Sequence, residues 1–167
     1  QTLWQKPVRH MRITVTAELP FGTTAKDLAL YIIGEIGTGG ATGHAVEYAG
    51  EAISALSMEG PMTLCNMTIE MGARSGIVPP DETPLAWLKS RPLAPGPRDW
   101  AAAASVWRER RADPEAVYAR DVAIDAGAVA PMVTWGTSPE EVAPVTGAVP
   151  EDSGYADTLD YMGLMPG

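Results

Sequence analysis

The run SMEGPMTLCNMTIEMGARSG, residues 57–76, is rich in methionine and small residues, yet carries an asparagine and a glutamate four residues apart. Asn66 and Glu70 stand four positions apart, which on an α-helix puts them on one face, while Cys65 and Ile69 point elsewhere. Methionine and small residues fill most of the rest, so the run reads as a buried helix. Such a helix must satisfy each polar group or lose about 1–3 kcal/mol for it. Two arrangements do so. In one, Glu70 pairs with Arg74, again four residues on, and Asn66 bonds a neighbouring turn. In the other, both face a site.

The elements that would position this pair can be read from periodicity. Gly60 and Pro61 suit the cap and first position of the helix, which is expected to run to about Arg74 and end near Gly76. Upstream, Met11, Ile13, Val15, Ala17 and Leu19 alternate with Arg12, Thr14, Thr16 and Glu18, the pattern of a half-buried strand. Thr24 and Asp27 give a capping-box start to a well-buried helix through Ile36. The glycine cluster GTGGATG, Gly37 to Gly43, follows that helix and leads into an expected strand, His44 to Tyr48. A phosphate loop needs the opposite order, strand then helix N-terminus, so the cluster reads as a helix C-cap and turn.

A short helix, Glu51 to Leu56, precedes the opening stretch, and GIVPP and DETPLAWLKS after it read as a short strand and a short helix. The run RPLAPGPR, Arg91 to Arg98, is a proline-rich loop. Beyond it Asp99 can cap a helix Trp100 to Arg111 that presents Trp100, Ala103, Ala104 and Trp107 on one side. Ala116 to Asp125 reads as a strand, and PMVTWGTSPEE as a strand-to-loop passage. Strands alternating with helices at this spacing imply an α/β sandwich with a partly parallel sheet.

Composition narrows the function classes. The net charge of −9 argues against nucleic acid or an anionic membrane surface as partner. No run approaches the ~18 apolar residues of a membrane span, and a soluble, cytoplasmic protein is expected. The single cysteine, Cys65, excludes an internal disulfide and any site built from several thiolates of this chain. No Lys or Arg follows Arg120, whereas eight acids do. That segment is expected to be a solvated linker or tail, or to lie against a basic surface elsewhere.

The stretch IGTGGATGHAVEYAGEAISALSMEGPMTLCNMTIEMGARSGIVPPDET, with QTLWQ, LPFGTTAKDL and APMVTWGTSPEEV, resembles the isopropylmalate dehydratase (isopropylmalate isomerase) large subunits of the aconitase family. The likeness runs from Gln1 to about Pro150, and its most specific piece, CNMTIEMGA, resembles the family's Cys-Asn-Met-x-x-Glu-x-Gly-Ala element. Pro61 and Met71 depart from the subfamily's pattern of a basic and a small residue. The resemblance implies an aconitase-type α/β/α sandwich with a mixed sheet, in which residues 1–120 form the domain and 121–167 a final strand and acidic linker towards a cluster-binding domain. It implies that Asn66 lies beside a [4Fe-4S] cluster without ligating it, and that Glu70 orients a catalytic histidine. His10 and His44 match no family catalytic histidine and read as structural or surface residues.

The implied reaction is the interconversion of 2-isopropylmalate and 3-isopropylmalate by dehydration and rehydration, a step of leucine biosynthesis. The family's ligands lie in a Gly-Ser-Cys-Thr-Asn motif and a later Cys-x-x-Cys pair, which this sequence does not contain. A middle segment of a longer large subunit is therefore expected, with a small subunit and the remainder of the large subunit as partners, and with Trp100, Trp107, Trp135 and the Met-rich helix as interface material. Homoaconitase-type and citraconate-type isomerases are the nearest alternatives. A stand-alone, cluster-free binding or assembly domain is the alternative of different class.

Overall fold

The computed structural model describes residues 2–167, apart from the side chain of Ser153; Gln1, the first residue of the QTLWQ likeness, lies outside the described residues. Strand β1 (Arg9–Thr16) buries Met11, Ile13 and Val15 completely and turns Arg12 and Thr14 to the opposite face. It stops short of the expected Leu19 because Ala17 adopts φ 60, which breaks the extended alternation, and its N–H donates to Glu51 Oε1 at 2.8 Å. Helix α1 (Ala25–Ile36) begins at the expected capping box: Asp27 Oδ2 accepts from Thr24 N at 2.7 Å, and Thr24 Oγ1 accepts from Asp27 N. Gly37 caps the helix C-terminus at φ 80, so the glycine cluster is a helix stop and turn into β2 (His44–Ala49).

From β2 the chain passes through α2 (Glu51–Ser54) and α3 (Glu59–Met67) to β3 (Ser75–Ile77). It then makes an excursion through α4 (Glu82–Lys89) and α5 (Trp100–Arg108) before β4 (Arg120–Asp125). Helix α5 ends three residues before the expected Arg111. Asp99 stands at its cap position without bonding it, and its Oδ1 accepts from Arg98 Nε instead. Of the expected strand from Ala116, only the portion paired with β1 is extended in register.

The four strands are parallel throughout, in the order β3-β2-β1-β4, and the fold class is α/β with helices flanking the sheet. The winding steps outward from β1 to β3, then returns past β1 to add β4, so it reverses between β1 and β4. Helices α1 and α3 pack side by side, and the core forms where Leu28, Ile32, Ile33 and Leu64 meet Met11, Ile13, Val46 and Tyr48. Each such aliphatic side chain contributes about 1.5–3 kcal/mol by leaving water. The other sheet face is polar: Arg12 Nε pairs with Asp121 Oδ1 at 2.8 Å, and its guanidinium lies 4.6 Å from the centre of the Tyr118 ring.

The last third holds more structure than a linker. Strands β5 (Met132–Thr134) and β6 (Val142–Pro144) form an antiparallel hairpin, and α6 (Ala156–Met162) follows. The hairpin is tied to both ends of α1. Met132 N donates to Asp27 Oδ1 at 2.7 Å, and Thr38 N donates to Glu140 Oε2 at 2.7 Å. Burial opposes ionisation of Asp27, but the bonds from Met132 and Thr24 outweigh it and hold this carboxyl below the usual carboxylate range. Several of the segment's acids thus act as acceptors for backbone N–H groups, a use that charge patterning does not reveal.

The turn from β2 into α2 runs against β1. Gly50 sits at φ 106, and a Cβ there would collide with the Val15 carbonyl oxygen. Gly50→Ala should lower the unfolding free energy by about 2 kcal/mol or more, read as a lower urea midpoint at constant slope. An unchanged midpoint would contradict the close approach of these two backbones.

Candidate functional site

Helix α3 is shorter than its sequence suggests. It opens at Glu59, with Pro61 in its third position instead of its first, and after Met67 it tightens into a 3-10 turn, Thr68–Met71, closed by Gly72 at φ 81. The cause of the change is Thr68, which is wholly buried. Its hydroxyl donates to the Leu64 carbonyl at 2.6 Å, a bond back into the helix, and so accepts from the Tyr48 hydroxyl at 2.8 Å. Strand β3 lies directly against this point: a Cβ on Gly76 would overlap the Thr68 hydroxyl and come within 3.0 Å of the Cys65 Cα. The sheet, the helix and the turn are therefore joined by one threonine hydroxyl.

The tightened turn sets where the two candidate residues point. Leu64, Thr68 and Met71 face the core, while Met62, Asn66, Ile69 and Glu70 are exposed. A 3-10 turn has about 3.0 residues per turn against about 3.6 for the α-helix, so Glu70 swings further round the axis from Asn66 than an unbroken helix would carry it. The buried-helix expectation is corrected: the apolar side of α3 is buried, and the polar pair lies on its open side. Ile69 and Met62, 58% and 47% exposed, flank it.

Neither Asn66 nor Glu70 has a side-chain hydrogen-bond partner among the described residues. The Glu70–Arg74 ion pair is not made, because Arg74 Nη1 donates to Gln5 Oε1 at 2.6 Å. This bond draws the N-terminal segment beside the turn, where Leu3, Trp4, Thr42, Gly72 and Arg74 border an open depression of about 560 Å³. Trp4 is 84% exposed there. A second cleft of about 310 Å³ lies at the far, C-terminal ends of β2 and β3, between Glu47, Gly50, Arg12, Arg111 and Tyr118. It shares no residue with the Asn66–Glu70 face.

The residues of this chain do not fit a metal cluster. Cys65 is half-buried on α3, and burial pushes its thiol up despite a hydrogen bond with the Val78 backbone. Among the described residues no three His, Cys, Asp or Glu side chains converge to hold an ion. His10 is exposed, and His44 is buried with Nδ1 3.0 Å from the Thr42 carbonyl oxygen, a structural setting. No helix is long and apolar enough to cross a membrane among the described residues.

Sequence reading passed over Thr68 and Tyr48, which aim the site without belonging to it; a threonine in mid-helix, able to bond back to the carbonyl four residues earlier, was the available signal. Thr68→Val leaves the Tyr48 hydroxyl buried without its partner and should cost about 1–3 kcal/mol, more than Tyr48→Phe, which removes the donor outright. Burial also pushes the Tyr48 hydroxyl up to about 12 from 10.0. The unfolded chain then releases that proton first as pH rises, so stability should fall between about pH 10 and 12. Denaturant titration of wild type and Tyr48→Phe across that range checks it: the variant should lose this part of the decline.

A family model described as the aconitase family (aconitate hydratase) matches residues 1–162. The match spans the parallel sheet, the Asn66–Glu70 face and the hairpin alike. This chain belongs to the aconitase family, a family of hydro-lyase type whose members typically use a [4Fe-4S] cluster.

Proposed function

We propose that this chain supplies one wall of the active site of a hydro-lyase that interconverts 2-isopropylmalate and 3-isopropylmalate in leucine biosynthesis. The observation that carries the reading is the open side of α3 and its 3-10 turn: opposite the buried Leu64, Thr68 and Met71, Asn66 and Glu70 stand exposed, with no side-chain hydrogen bond among the described residues. They fall on the asparagine and glutamate of the CNMTIEMGA element.

Moving a hydroxyl between neighbouring carbons needs a proton removed beside a carboxylate and the hydroxyl released. Glu70 suits a positioning role in that reaction. Its carboxylate accepts hydrogen bonds only, so an imidazole donating one N–H to it keeps the other nitrogen free to take or give the substrate proton. Asn66 offers both a donor and an acceptor to the same space. The histidine must come from outside this chain, since His10 and His44 are placed elsewhere. The cluster's ligands must do so too, because Cys65 is the one cysteine and is half-buried as a neutral thiol.

This reading makes the remainder of the large subunit and a small subunit the partners, in the cytoplasm. The second reading, a cluster-free binding or assembly domain of the family, is favoured by the same lack of cluster ligands. The two separate in the complete enzyme. Glu70→Gln should lower kcat roughly 100-fold with little change in Tm, as expected when a group that orients an acid–base residue is altered. Near-normal turnover of 2-isopropylmalate by the variant would refute the role given to Glu70.

A further inference from the structure

A chain of net charge −9 repels the dicarboxylate on which the proposed reaction acts, and Glu70 adds to that repulsion. A site on this face must therefore supply positive charge of its own. Before Glu18 the chain holds Lys6, Arg9 and Arg12 and no acid. Arg9 pairs in register with His44, and the His44 carbonyl accepts from Arg74 N at 2.8 Å, so the starts of β1, β2 and β3 come to one edge of the sheet. Arg120, at the start of β4, donates through Nη1 to the Gly40 carbonyl in the glycine-rich turn that leads into β2. Bases thus gather on the edge of the sheet that adjoins the Glu70 turn.

The open depression at that edge, about 560 Å³, is bordered by two of them, Lys6 and Arg74, and none of its lining residues is acidic. Among the described residues neither base pairs with a carboxylate: the ion pairs join Arg12 to Asp121, Arg98 to Asp99 and Arg108 to Glu82. Arg74 gives one N–H to the neutral Gln5 Oε1, which braces the guanidinium and leaves it further donors. Gly72, which closes the turn carrying Glu70, lies against Thr42, whose Oγ1 would be 2.6 Å from a Cβ at that position. Leu3 and Trp4, 83% and 84% exposed, give the same depression an apolar side.

The geometry points to Arg74 and Lys6 as the residues that hold a carboxylate of the substrate, with Leu3 and Trp4 against its isopropyl group. This rests on the reading of the Asn66–Glu70 face given above and extends it from acid–base chemistry to substrate recognition. A braced, planar guanidinium can offer two parallel N–H bonds to a carboxylate, whereas Lys6 acts as a point charge. Arg74 follows Glu70 by four residues through the 3-10 turn, so one short piece of backbone fixes the recognition group relative to the acid–base one. Two bases beside an apolar wall select a carboxylate that carries hydrocarbon over a bare inorganic anion.

Steady-state kinetics of the complete enzyme tests the assignment. Arg74→Gln should raise KM for 2-isopropylmalate about tenfold or more with kcat within about threefold, the pattern of lost ground-state binding, and Arg74→Lys should recover part of it. Binding is read separately by NMR in the 167-residue chain. There, about 20 mM 2-isopropylmalate should shift the amide resonances of Thr42, Gly43 and Gly72 and the indole N–H of Trp4, in wild type and Glu70→Gln alike and far less in Arg74→Gln. Malate, which lacks the isopropyl group, should leave the Trp4 indole unmoved. An unchanged KM in Arg74→Gln, no shifts in the chain, or shifts that inorganic phosphate reproduces would each overturn the assignment while leaving the role of Glu70 standing. That role falls instead if Glu70→Gln turns over normally, and a wild-type enzyme inactive on 2-isopropylmalate would overturn both.

Discussion

One hydroxyl group sets the position of most of what matters here. Thr68 is buried where α3, β2 and β3 converge, and a buried hydroxyl must have its donor and acceptor satisfied. Donation to the Leu64 carbonyl bends the helix into a 3-10 turn, and acceptance from Tyr48 fastens that turn to the sheet. Gly72 then ends the turn, and the Met71 carbonyl receives the Ala41 N–H at 2.8 Å, which brings the glycine-rich turn alongside. Strand β3 can come this close only because Gly76 has no side chain.

The open face of α3 follows from that anchoring. With Leu64, Thr68 and Met71 committed to the core, the remaining side of the helix and turn has to face outward, and Asn66 and Glu70 go with it. Exposure also removes the penalty that a buried polar pair would incur, so the pair costs the fold nothing while free of partners. Residues that would be expensive inside the domain are tolerated on a surface that other groups can complete. The placement by itself does not choose a substrate. The catalytic reading of the face is a proposal, and it rests on the pair's place in the CNMTIEMGA element, which resembles the family's.

Periodicity made the parallel sheet and its helices legible, because alternation in β1 and the capping box of α1 are local signals that tertiary packing reinforced. Ends were harder. The strand stop at Ala17 depends on a hydrogen bond that its N–H donates to Glu51, and the helix stop at Thr68 on Tyr48, both far along the chain. Strand β6 and α6 were hidden by composition: acids read as a solvated tail, whereas Glu140 and Glu141 accept backbone N–H groups that hold the hairpin region together. For the candidate site, spacing put Asn66 and Glu70 on one helix face and the family resemblance singled them out, but their burial was misjudged, since an apolar helix sequence does not reveal which side meets the core.

The central claim is that Glu70 faces a site completed by groups outside this domain. Carbodiimide labelling of carboxylates, with peptide-level mass spectrometry, tests it directly when the 167-residue chain is compared with the enzyme purified from its native source. Glu70 should label readily in the chain alone, where it is exposed, and be strongly protected in the native enzyme. Equal labelling in both would mean that nothing covers this face, and the assignment of Asn66 and Glu70 to an active site would fall.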